Sequence, residues 1–309
     1  MKLFEKIRQF LLESAELNKK PLIAIVGPTA SGKTALSLKI AKEFHGEIIS
    51  ADSRQIYRYM DIGTDKIPVN GQAGIKHYLL DIIDPNESFT VADFKRMALK
   101  IIADIHARRN VPILCGGTGL YLDAVIENYQ IPQIPPQYGI RQQLARYYEQ
   151  YGAAALHDLL KDRDPEAAQK IHPNNVRYVI RALEIKMVGG IAQKERKGER
   201  IFHVMKIGIE WPREVLYERI NRRVDSQLER GLLNEVKTLL MKGYHEKLPA
   251  MSSLGYLELI SHIKGEKSLA EAAEEIKKNT RNYAKRQLTW FRKYKDITWI
   301  EGQELEKIN

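Results

Sequence analysis

The stretch Leu22-Ile-Ala-Ile-Val-Gly-Pro-Thr-Ala-Ser-Gly-Lys-Thr34 decides how the rest of the chain is interpreted. Its first five residues are apolar and rich in β-branched side chains, which predicts a buried strand. Residues 27–34 then match a phosphate-binding loop: two glycines separated by four residues, followed by lysine and threonine. Apolar residues recur at helical spacing from Ala35 to Phe44, so both the strand and the helix that this loop requires are predicted.

The phosphate-binding loop combines several features that bind an anion. Its two glycines, Gly27 and Gly32, permit backbone turns that a side chain would block. The loop amides and the positive end of the next helix then face the anion. Lys33 adds a point charge, and the Thr34 hydroxyl is placed to ligate Mg²⁺. The pattern predicts a bound diphosphate or triphosphate without distinguishing them, contacted by Gly27, Pro28, Thr29, Ala30, Ser31, Gly32, Lys33 and Thr34.

The composition predicts a soluble globular protein. The chain has 309 residues, 44% hydrophobic and 28% charged, enough for one large domain or for a domain with an insertion. The net charge of +10 suits a polyanionic partner, although many basic proteins bind none. No apolar run approaches the roughly 20 residues of a membrane span, so we expect a cytoplasmic protein without membrane contact. The single cysteine, Cys115, excludes an internal disulfide, and its apolar surroundings predict a buried, inert thiol.

Short apolar segments alternate with helical patterns through the first part of the chain. Residues 1–20 predict an amphipathic helical extension that packs against the domain. A helix is predicted at residues 90–108. Strands are predicted at residues 22–26, 47–50, 76–81 and 111–115. This alternation predicts an α/β fold, a parallel sheet flanked by helices.

In a parallel α/β sheet, ligands bind beyond the carboxyl ends of the strands. Gly27, Asp52, Asp81 and residues 116–118 all follow predicted strands, so we expect them to converge on one crevice. From position alone, Asp52 is a base for an acceptor substrate, a ligand of Mg²⁺ through water, or a helix cap. Asp81 fits better as a structural residue near a turn. The two glycines before Thr118 permit close approach of a ligand, while Thr118 offers a hydroxyl or caps the next helix.

Two linker-like segments divide the chain. Residues 128–137 contain three prolines, and residues 189–198 are charged and bounded by glycines. The part between them has helical patterns and no strand signal. We therefore predict a helical insertion domain at residues 128–198, within a core made of residues 1–127 and 199–309.

The chain after the insertion is predicted to be one strand, at residues 201–211, followed mostly by helices. The first of these helices carries Arg219, Arg222 and Arg223. These arginines are expected either to stabilise charge on a leaving phosphate or to form a solvated helix face.

A second basic feature lies on a long helix predicted at residues 271–295. Tyr283 and Trp290 lie near its basic side chains, a combination that suits nucleic-acid backbone contact with base stacking. A solvated surface helix explains the same pattern equally well. The basic side chains are Lys278, Arg281, Lys285 and Arg292.

Seven motifs spread along the chain are together far more specific than the loop alone. They are GPTASGKT at 27–34, DSRQIY at 52–57, MDIGT at 60–64, LLDI at 79–82, GGTGLY at 116–121, HPNN with RALE within 172–184, and KRQLTWFR at 285–292. In this order they resemble one family, the tRNA dimethylallyltransferases, also called isopentenyl-tRNA transferases. The resemblance covers nearly the whole chain beyond residue 20.

The resemblance implies an α/β fold like that of P-loop NTPases, with an all-helical insertion and a helical C-terminal region. It also implies transfer of a dimethylallyl group from dimethylallyl diphosphate to N6 of the adenine 3′ of the anticodon in tRNA. Diphosphate would be released, and Mg²⁺ is the expected cofactor. By the same resemblance, Asp52 would hold and deprotonate the amino group, Thr118 would bond near it, and Arg219 and Arg223 would contact the diphosphate.

RNA contacts are implied as well. The helical insertion and the basic C-terminal helix would hold the anticodon stem-loop, with the target base extruded into the crevice. We expect the protein to act as a monomer. The residues expected to bind tRNA are Asp52, Ser53, Arg54, Gln55, Thr118, Arg141, Arg177, Arg181, Lys278, Arg281 and Lys285.

Two positions depart from the family pattern. Tyr178 and Leu257 stand where basic residues are expected, which leaves specific tRNA contacts open but not the reaction. Two other functions remain open from the residues alone. A small-molecule or nucleotide kinase would consume ATP and release ADP, and a nucleotide-gated RNA-binding module would bind tRNA without modifying it. ATP binding is suggested by the loop but is not the physiological role we expect.

Overall fold

The computed structural model describes residues 2–131, 134, 136–189 and 197–306, without the side chain of residue 306. The chain forms two compact units. The α/β unit comprises Met1–Ile126 and Arg200–Asn309, and the helical unit comprises Glu127–Glu199. The sequence places these limits at residues 128 and 198. Most of the predicted linker at 189–198 lies outside the described residues.

The α/β unit is built on one six-stranded sheet with strand order β3-β2-β4-β1-β5-β6. All neighbouring strands pair in parallel, which confirms the predicted fold class. The strands are β1 (Pro21–Val26), β2 (Gly46–Ser50), β3 (His77–Tyr78), β4 (Val111–Cys115), β5 (His203–Glu210) and β6 (Ile297–Glu301).

Two predictions about the strands were wrong. The third strand was expected over residues 76–81, but β3 is only two residues long because the backbone then turns left-handed at Leu79 (φ 62°) and Asp81 (φ 54°). The edge strand β6 was not predicted. It is five residues long and follows a long helix, so its apolar pattern was read as part of the helical C-terminal region.

Eleven α-helices lie in the described residues. The α/β unit contains α1 (Leu3–Glu16), α2 (Lys33–Glu43), α3 (Val91–Ala107), α4 (Gly119–Ile126), α8 (Arg213–Glu229), α9 (Leu232–Met241), α10 (Tyr256–Ile263) and α11 (Leu269–Phe291). The helical unit contains α5 (Tyr138–Arg163), α6 (Pro165–Lys170) and α7 (Val176–Met187). None of the described helices is both long enough and apolar enough to cross a lipid bilayer.

Alternating side chains of β1 face opposite sides of the sheet, as the period of a strand requires. Leu22 and Ala24 pack with α3 and α4 on one side, whereas Ile23 and Ile25 pack with α1 and α2 on the other. This layering buries Leu22 to Val26 of the central strand, and the phosphate-binding loop begins at its carboxyl end, the edge of a parallel sheet at which ligands bind.

The N-terminal extension packs against the sheet, as predicted. Helix α1 buries Ile7 and Phe10 in the core. The buried Ser14 hydroxyl lies 2.8 Å from Nδ1 of His203, the first residue of β5. Because Ile7 and Phe10 are buried, α1 belongs to the folded domain, although Leu12 on the same helix is exposed.

The helical unit has its own apolar core. Leu144, Leu156 and Leu160 of α5 pack against Val179 and Leu183 of α7. Helix α5 bends at Gly152, whose φ of 83° is unfavourable for any residue with a Cβ atom. The bend lets both halves of this long helix contribute to one core.

Candidate active site

The phosphate-binding loop joins β1 to α2 in a backbone conformation that requires both of its glycines. Gly27 has a φ of 148°, and a Cβ atom there would lie 3.0 Å from the carbonyl oxygen of Ile209. Gly32 has a φ of 98°, and a Cβ atom there would lie 2.9 Å from the side chain of Leu305. The two glycines thus combine left-handed or extended turns with close packing, as their spacing predicts.

Helix α11 holds the first turn of this loop in place. The buried side chain of Gln287 accepts a hydrogen bond from the Thr29 amide (2.8 Å) and donates one to the Gly117 carbonyl (3.0 Å). One side chain therefore joins the loop after β1 to the loop after β4. The two segments that were expected to converge on a ligand are held together by a residue of the C-terminal helix.

The second half of the loop is held from the other side by Trp211 and Arg219. The Trp211 indole donates a hydrogen bond to the Ser31 carbonyl (3.0 Å), and Arg219 Nε donates one to the Ala30 carbonyl (2.9 Å). The Arg219 guanidinium also lies over the Trp211 ring, 4.3 Å from its centroid. Arg219 is thus next to the loop, consistent with a role at the diphosphate, but part of its hydrogen-bonding capacity serves the loop itself.

Lys33 points back over the loop, where its Nζ donates a hydrogen bond to the Pro28 carbonyl (2.6 Å). Burial lowers the pKa of Lys33 to about 8, and the charge of nearby Arg223 acts in the same direction. The Ser31 hydroxyl is also buried and has no hydrogen-bond partner within the described part of the chain. A desolvated cation beside an unpartnered hydroxyl is stabilised by an anion that fills the space between them.

These groups line a cavity of about 550 Å³ that opens beyond the carboxyl ends of the strands. Its walls include the loop residues from Thr29 to Thr34, Asp52, Gln55, Asp65, Cys115 to Gly117, Arg219, Arg222, Arg223, Tyr283 and Gln287. The cavity lies wholly within the α/β unit. The lining combines cationic side chains with the carboxylates of Asp52 and Asp65, so the cavity offers groups for an anion and for a proton-donating group.

Asp52 lies at the end of β2 in this cavity. Its Oδ1 accepts a hydrogen bond from the Arg54 amide (2.8 Å), which fixes the carboxylate by a local turn and not by a helix cap. Thr118 lies beside it, since its Oγ1 accepts a hydrogen bond from the Ser53 amide (3.0 Å). The structure therefore brings together the two residues that were assigned the acceptor substrate.

Tyr283 of α11 was not among the predicted site residues. Its hydroxyl shares a hydrogen bond with Thr118, and burial together with the Asp52 carboxylate raises its pKa. The tyrosine is therefore a neutral donor beside Asp52 at any physiological pH. Its spacing of four residues from Gln287 on one helix was the sequence signal that both face the cavity.

Cys115 is not fully buried, contrary to the prediction. It is half-buried at the end of β4 and lines the cavity. Burial raises the pKa of its thiol, which disfavours the reactive thiolate, and the inert role stays a prediction.

Asp81 does not reach the cavity. Its carboxylate binds the buried Lys66 ammonium (2.5 Å), which also binds Asp61 (2.5 Å) and the Tyr57 carbonyl (2.9 Å). The left-handed turn after β3 directs Asp81 into this cluster. Asp81 is therefore not part of the crevice on which it was expected to converge, although its neighbour Leu80 lines the cavity, and the structural role preferred for Asp81 is the one observed.

The residues expected to bind tRNA have different surroundings. Gln55 is held by Ser50 (2.9 Å) and by the Thr64 carbonyl (3.2 Å), and Arg54 donates to the Pro249 carbonyl (2.6 Å). Arg281 donates to Asn221 (2.7 Å). The side chains that are exposed and so accessible to RNA are those of Arg177, Lys278 and Lys285.

Arg141 and Arg181 hold a buried carboxylate of the helical unit. Glu184 is 0% exposed and accepts hydrogen bonds from Arg141 (2.8 Å), Arg181 (2.6 Å) and the Gln137 amide (2.5 Å). Burial raises the pKa of Glu184, but the bonds from the two arginines outweigh that effect and lower it. Both arginines thus have a structural role, and RNA contact by them remains a prediction.

The Mg²⁺ expected from the sequence has one candidate protein ligand in the cavity, the Thr34 hydroxyl. The Thr34 hydroxyl is exposed at the start of α2 and lines the cavity, where oxygen ligands of a diphosphate would meet it. Within the described ranges, no three acidic, histidine or cysteine side chains are grouped to hold a metal ion. The described side chains therefore offer few ligands for Mg²⁺, and phosphate oxygens and water would complete its coordination.

Comparison with known proteins gives one consistent answer. A model of the IPP transferase family matches residues 55–294. A tRNA dimethylallyltransferase of Acetivibrio thermocellus is 47% identical over 290 residues, 92% of this chain and 93% of that protein. A full-length tRNA isopentenylpyrophosphate transferase structure from Bacillus halodurans has a TM-score of 0.70 at 44% identity, covering 94% of each chain. A eukaryotic dimethylallyltransferase, solved acting on tRNA, has a TM-score of 0.78 at 28% identity, over 93% of this chain and 75% of that one.

Proposed function

The chain belongs to the IPP transferase family, whose relatives are tRNA dimethylallyltransferases, and from this membership we propose the reaction that its cavity performs. It transfers a dimethylallyl group from dimethylallyl diphosphate to N6 of the adenine next to the anticodon on its 3′ side. The observation that carries the proposal is the single cavity in which the phosphate-binding loop and Asp52 face the same space. An anion and an acceptor can therefore meet there.

The electrophile supplies most of the reactivity, because an adenine amino group is a weak nucleophile. The allylic C1–O bond of the substrate breaks, and the electron pair leaves with the diphosphate. Lys33, the loop amides and the arginines at the cavity wall bind the charge that develops on this leaving group. The loop therefore assists cleavage of a carbon–oxygen bond, and no phosphoryl group is transferred.

The acceptor side is formed by Asp52, Thr118 and Tyr283. As the new N6–C1 bond forms, N6 must lose one proton, and the Asp52 carboxylate accepts it. The Thr118 hydroxyl, fixed by the Ser53 amide (3.0 Å), bonds the same amino group and orients it. Asp52 thus acts as the base, and Thr118 positions the nucleophile.

Mg²⁺ is proposed as the cofactor, held by the Thr34 hydroxyl together with diphosphate oxygens and water. When bound, it would supply further positive charge to the leaving group. The binding of the diphosphate itself rests on Lys33 and the loop amides.

The adenine reaches Asp52 only if it leaves the stacked anticodon loop. The exposed Arg177 of α7 and Lys278 and Lys285 of α11 are proposed to bind RNA phosphates. We expect a monomer working in the cytoplasm.

The proposed reaction is tested with the purified protein, dimethylallyl diphosphate, Mg²⁺ and unmodified tRNA. The tRNA is digested to nucleosides, which are weighed by mass spectrometry. We expect one adenosine per tRNA heavier by one C5H8 unit. Release of ADP from ATP in a parallel reaction, with no prenylated adenosine, would favour a kinase, and tRNA binding without any modified base would favour an RNA-binding module.

A further inference from the structure

The loop of residues 60–66, between β2 and β3, brings a second carboxylate to the cavity. Asp65 lines the same cavity as the phosphate-binding loop. Its Oδ1 accepts a hydrogen bond from Arg230 Nη2 (2.9 Å), and its Oδ2 lies 3.4 Å from Arg223 Nη1. Asp52 already serves the acceptor side in the proposed reaction, whereas the side-chain partners of the Asp65 carboxylate are these two arginines, so its role is sought in its effect on them.

Three helices hold this 60–66 loop rigid. The carboxylate of Glu235 in α9 accepts hydrogen bonds from the backbone amides of Asp61, Ile62 and Gly63, at 2.9, 2.7 and 3.1 Å. The Gln227 amide of α8 donates to the Ile62 carbonyl (2.8 Å). Every amide at the tip of the loop is therefore bound, which leaves the loop little freedom to move.

Tyr256 of α10 also holds the 60–66 loop in place. Its hydroxyl donates to Glu235 (2.6 Å), and its ring packs so closely on Gly63 that an added Cβ atom would lie 2.5 Å from it. Asp65 itself has a left-handed φ of 51°, a strained conformation for a residue with a side chain. Because the backbone is strained at Asp65 and the rest of the 60–66 loop is fixed by hydrogen bonds, we infer that the direction of the Asp65 side chain matters.

Arg223 needs such a fixed partner. Its charge lies close enough to Lys33 to contribute to the lowered pKa of that lysine, so the two cations repel each other across the cavity. Arginine side chains have many rotamers, and an unrestrained Arg223 would turn outward to water. The Asp65 carboxylate offsets the repulsion and keeps the guanidinium at the cavity wall.

The competing effect of Asp65 is repulsion of the diphosphate. That effect is reduced, because the Arg230 guanidinium pairs with the other carboxylate oxygen at 2.9 Å and offsets part of its charge. The preorganisation of Arg223 therefore outweighs the repulsion.

We propose that Asp65 is a positioning residue, which holds Arg223 toward the phosphate-binding loop so that its guanidinium meets the diphosphate. The proposal rests on the proposed function, in which that diphosphate belongs to the prenyl donor. It makes the binding of the donor depend on a residue that does not touch the phosphate-binding loop.

The test is a double-mutant cycle of Asp65→Asn and Arg223→Gln in the full-length protein. Asp65→Asn is expected to raise KM for dimethylallyl diphosphate about two- to fivefold, the range of a half-exposed ion pair, with kcat changed less than about twofold. In the Arg223→Gln background the same substitution should change KM by less than about 1.5-fold, since its effect passes through Arg223. The matched control is Asp61→Asn, in the same loop, where Lys66 retains Asp81 as its partner.

Three results would overturn the proposal. One is a lower KM in Asp65→Asn, which would make the carboxylate a competitor of the diphosphate. The second is an equal effect in both backgrounds, which indicates a role independent of Arg223. The third is an equal rise of KM in Asp61→Asn, which indicates general disturbance of the loop.

Calorimetric binding of inorganic pyrophosphate to the same variants separates this proposal from the function on which it rests. If the wild-type protein prenylates no tRNA, the proposed function is wrong. The role of Asp65 would still be supported if Asp65→Asn weakens pyrophosphate binding in the wild-type background but not in the Arg223→Gln background. If the wild type is active and pyrophosphate affinity is unchanged in Asp65→Asn, only the positioning role is wrong.

Discussion

Lys33 and Asp52 bring opposite charges into one cavity, and each serves a different half of the reaction. Lys33 lies at the end of the phosphate-binding loop, where its Nζ donates a hydrogen bond to the Pro28 carbonyl. Asp52 is fixed by the Arg54 amide and faces the acceptor side beside Thr118. Neither residue contributes to a buried core, so their substitution tests chemistry more than folding.

Replacing either residue should cut turnover strongly. Lys33→Ala removes the positive charge that stabilises the leaving diphosphate, and Asp52→Ala removes the base. Each variant is expected to lower the rate of tRNA prenylation by about two to three orders of magnitude. Single-turnover assays with excess enzyme measure this rate.

The controls for these variants are Lys42→Ala on α2 and Asp104→Asn on α3, both exposed. Near-wild-type rates in the Lys33 and Asp52 variants would refute the assigned roles. Equal loss in the controls would indicate a general effect of altered charge.

At the scale of elements, the position of α11 decides whether the phosphate-binding loop is preformed. Gln287→Ala removes two buried hydrogen bonds, to the Thr29 amide and the Gly117 carbonyl. At about 1 kcal/mol each, the loss predicts a fall in kcat/KM of about 10- to 30-fold. Steady-state kinetics with varied dimethylallyl diphosphate measure it. The exposed Asn282→Ala on the same helix should be near wild type, and an unchanged kcat/KM in Gln287→Ala would show that α11 does not support the loop.

Strand β2 begins at a buried carboxylate that should make stability depend on pH. Burial by itself raises the pKa of Glu47, but hydrogen bonds from Arg108, Tyr78 and Asn110 outweigh it and lower the pKa to about 2. A lowered folded-state pKa stabilises the protein above the ordinary value of 4.5, and this contribution is lost as the pH falls through about 2.

The corresponding variant is Glu47→Gln. It should lower the free energy of unfolding by about 2 kcal/mol near neutral pH, because it weakens several bonds to a charged group. The difference from wild type should shrink as the pH falls from the ordinary pKa of glutamate toward about 2. Urea titrations across this range measure it, with the exposed Glu229→Gln as control. A difference that is constant with pH would contradict the assignment of charge to Glu47.

At the scale of the whole molecule, the net charge of +10 suits the tRNA, whereas the cavity charges suit the diphosphate. Arg177→Ala removes an exposed cation from the helical unit. It should weaken tRNA binding and reduce the slope of log Kd against log salt by about one, leaving pyrophosphate affinity unchanged. Arg181→Ala should instead lower the melting temperature, because it leaves the buried Glu184 with one partner fewer. Unchanged tRNA binding by Arg177→Ala across salt concentrations would remove it from the RNA surface.

The sequence predicts the features that depend on local pattern and misses those that depend on contact between distant segments. The phosphate-binding loop, the alternation of strands and helices, and the helix predicted at residues 90–108 are local, and all are observed. The hydrogen bond from the Thr29 amide to Gln287 joins residues 258 positions apart, and no local sequence pattern predicts it. In the sequence, Asp65 is an acidic residue of a turn, and only the folded structure shows that Arg223 lies beside it. Strand β6 is too short, and too close to a long helix, to be read from periodicity alone.

The central claim is that a loop of the kind that binds nucleotides here assists the loss of diphosphate from an allylic carbon. It is tested most directly with dimethylallyl diphosphate carrying ¹⁸O in the bridging C1–O position. Cleavage of the C1–O bond predicts that all ¹⁸O appears in the released diphosphate while the adenine N6 gains the prenyl group. Recovery of ¹⁸O in free dimethylallyl alcohol would contradict the claim, because the label stays on the isoprenoid only if the bond between phosphorus and the bridging oxygen is the one that breaks.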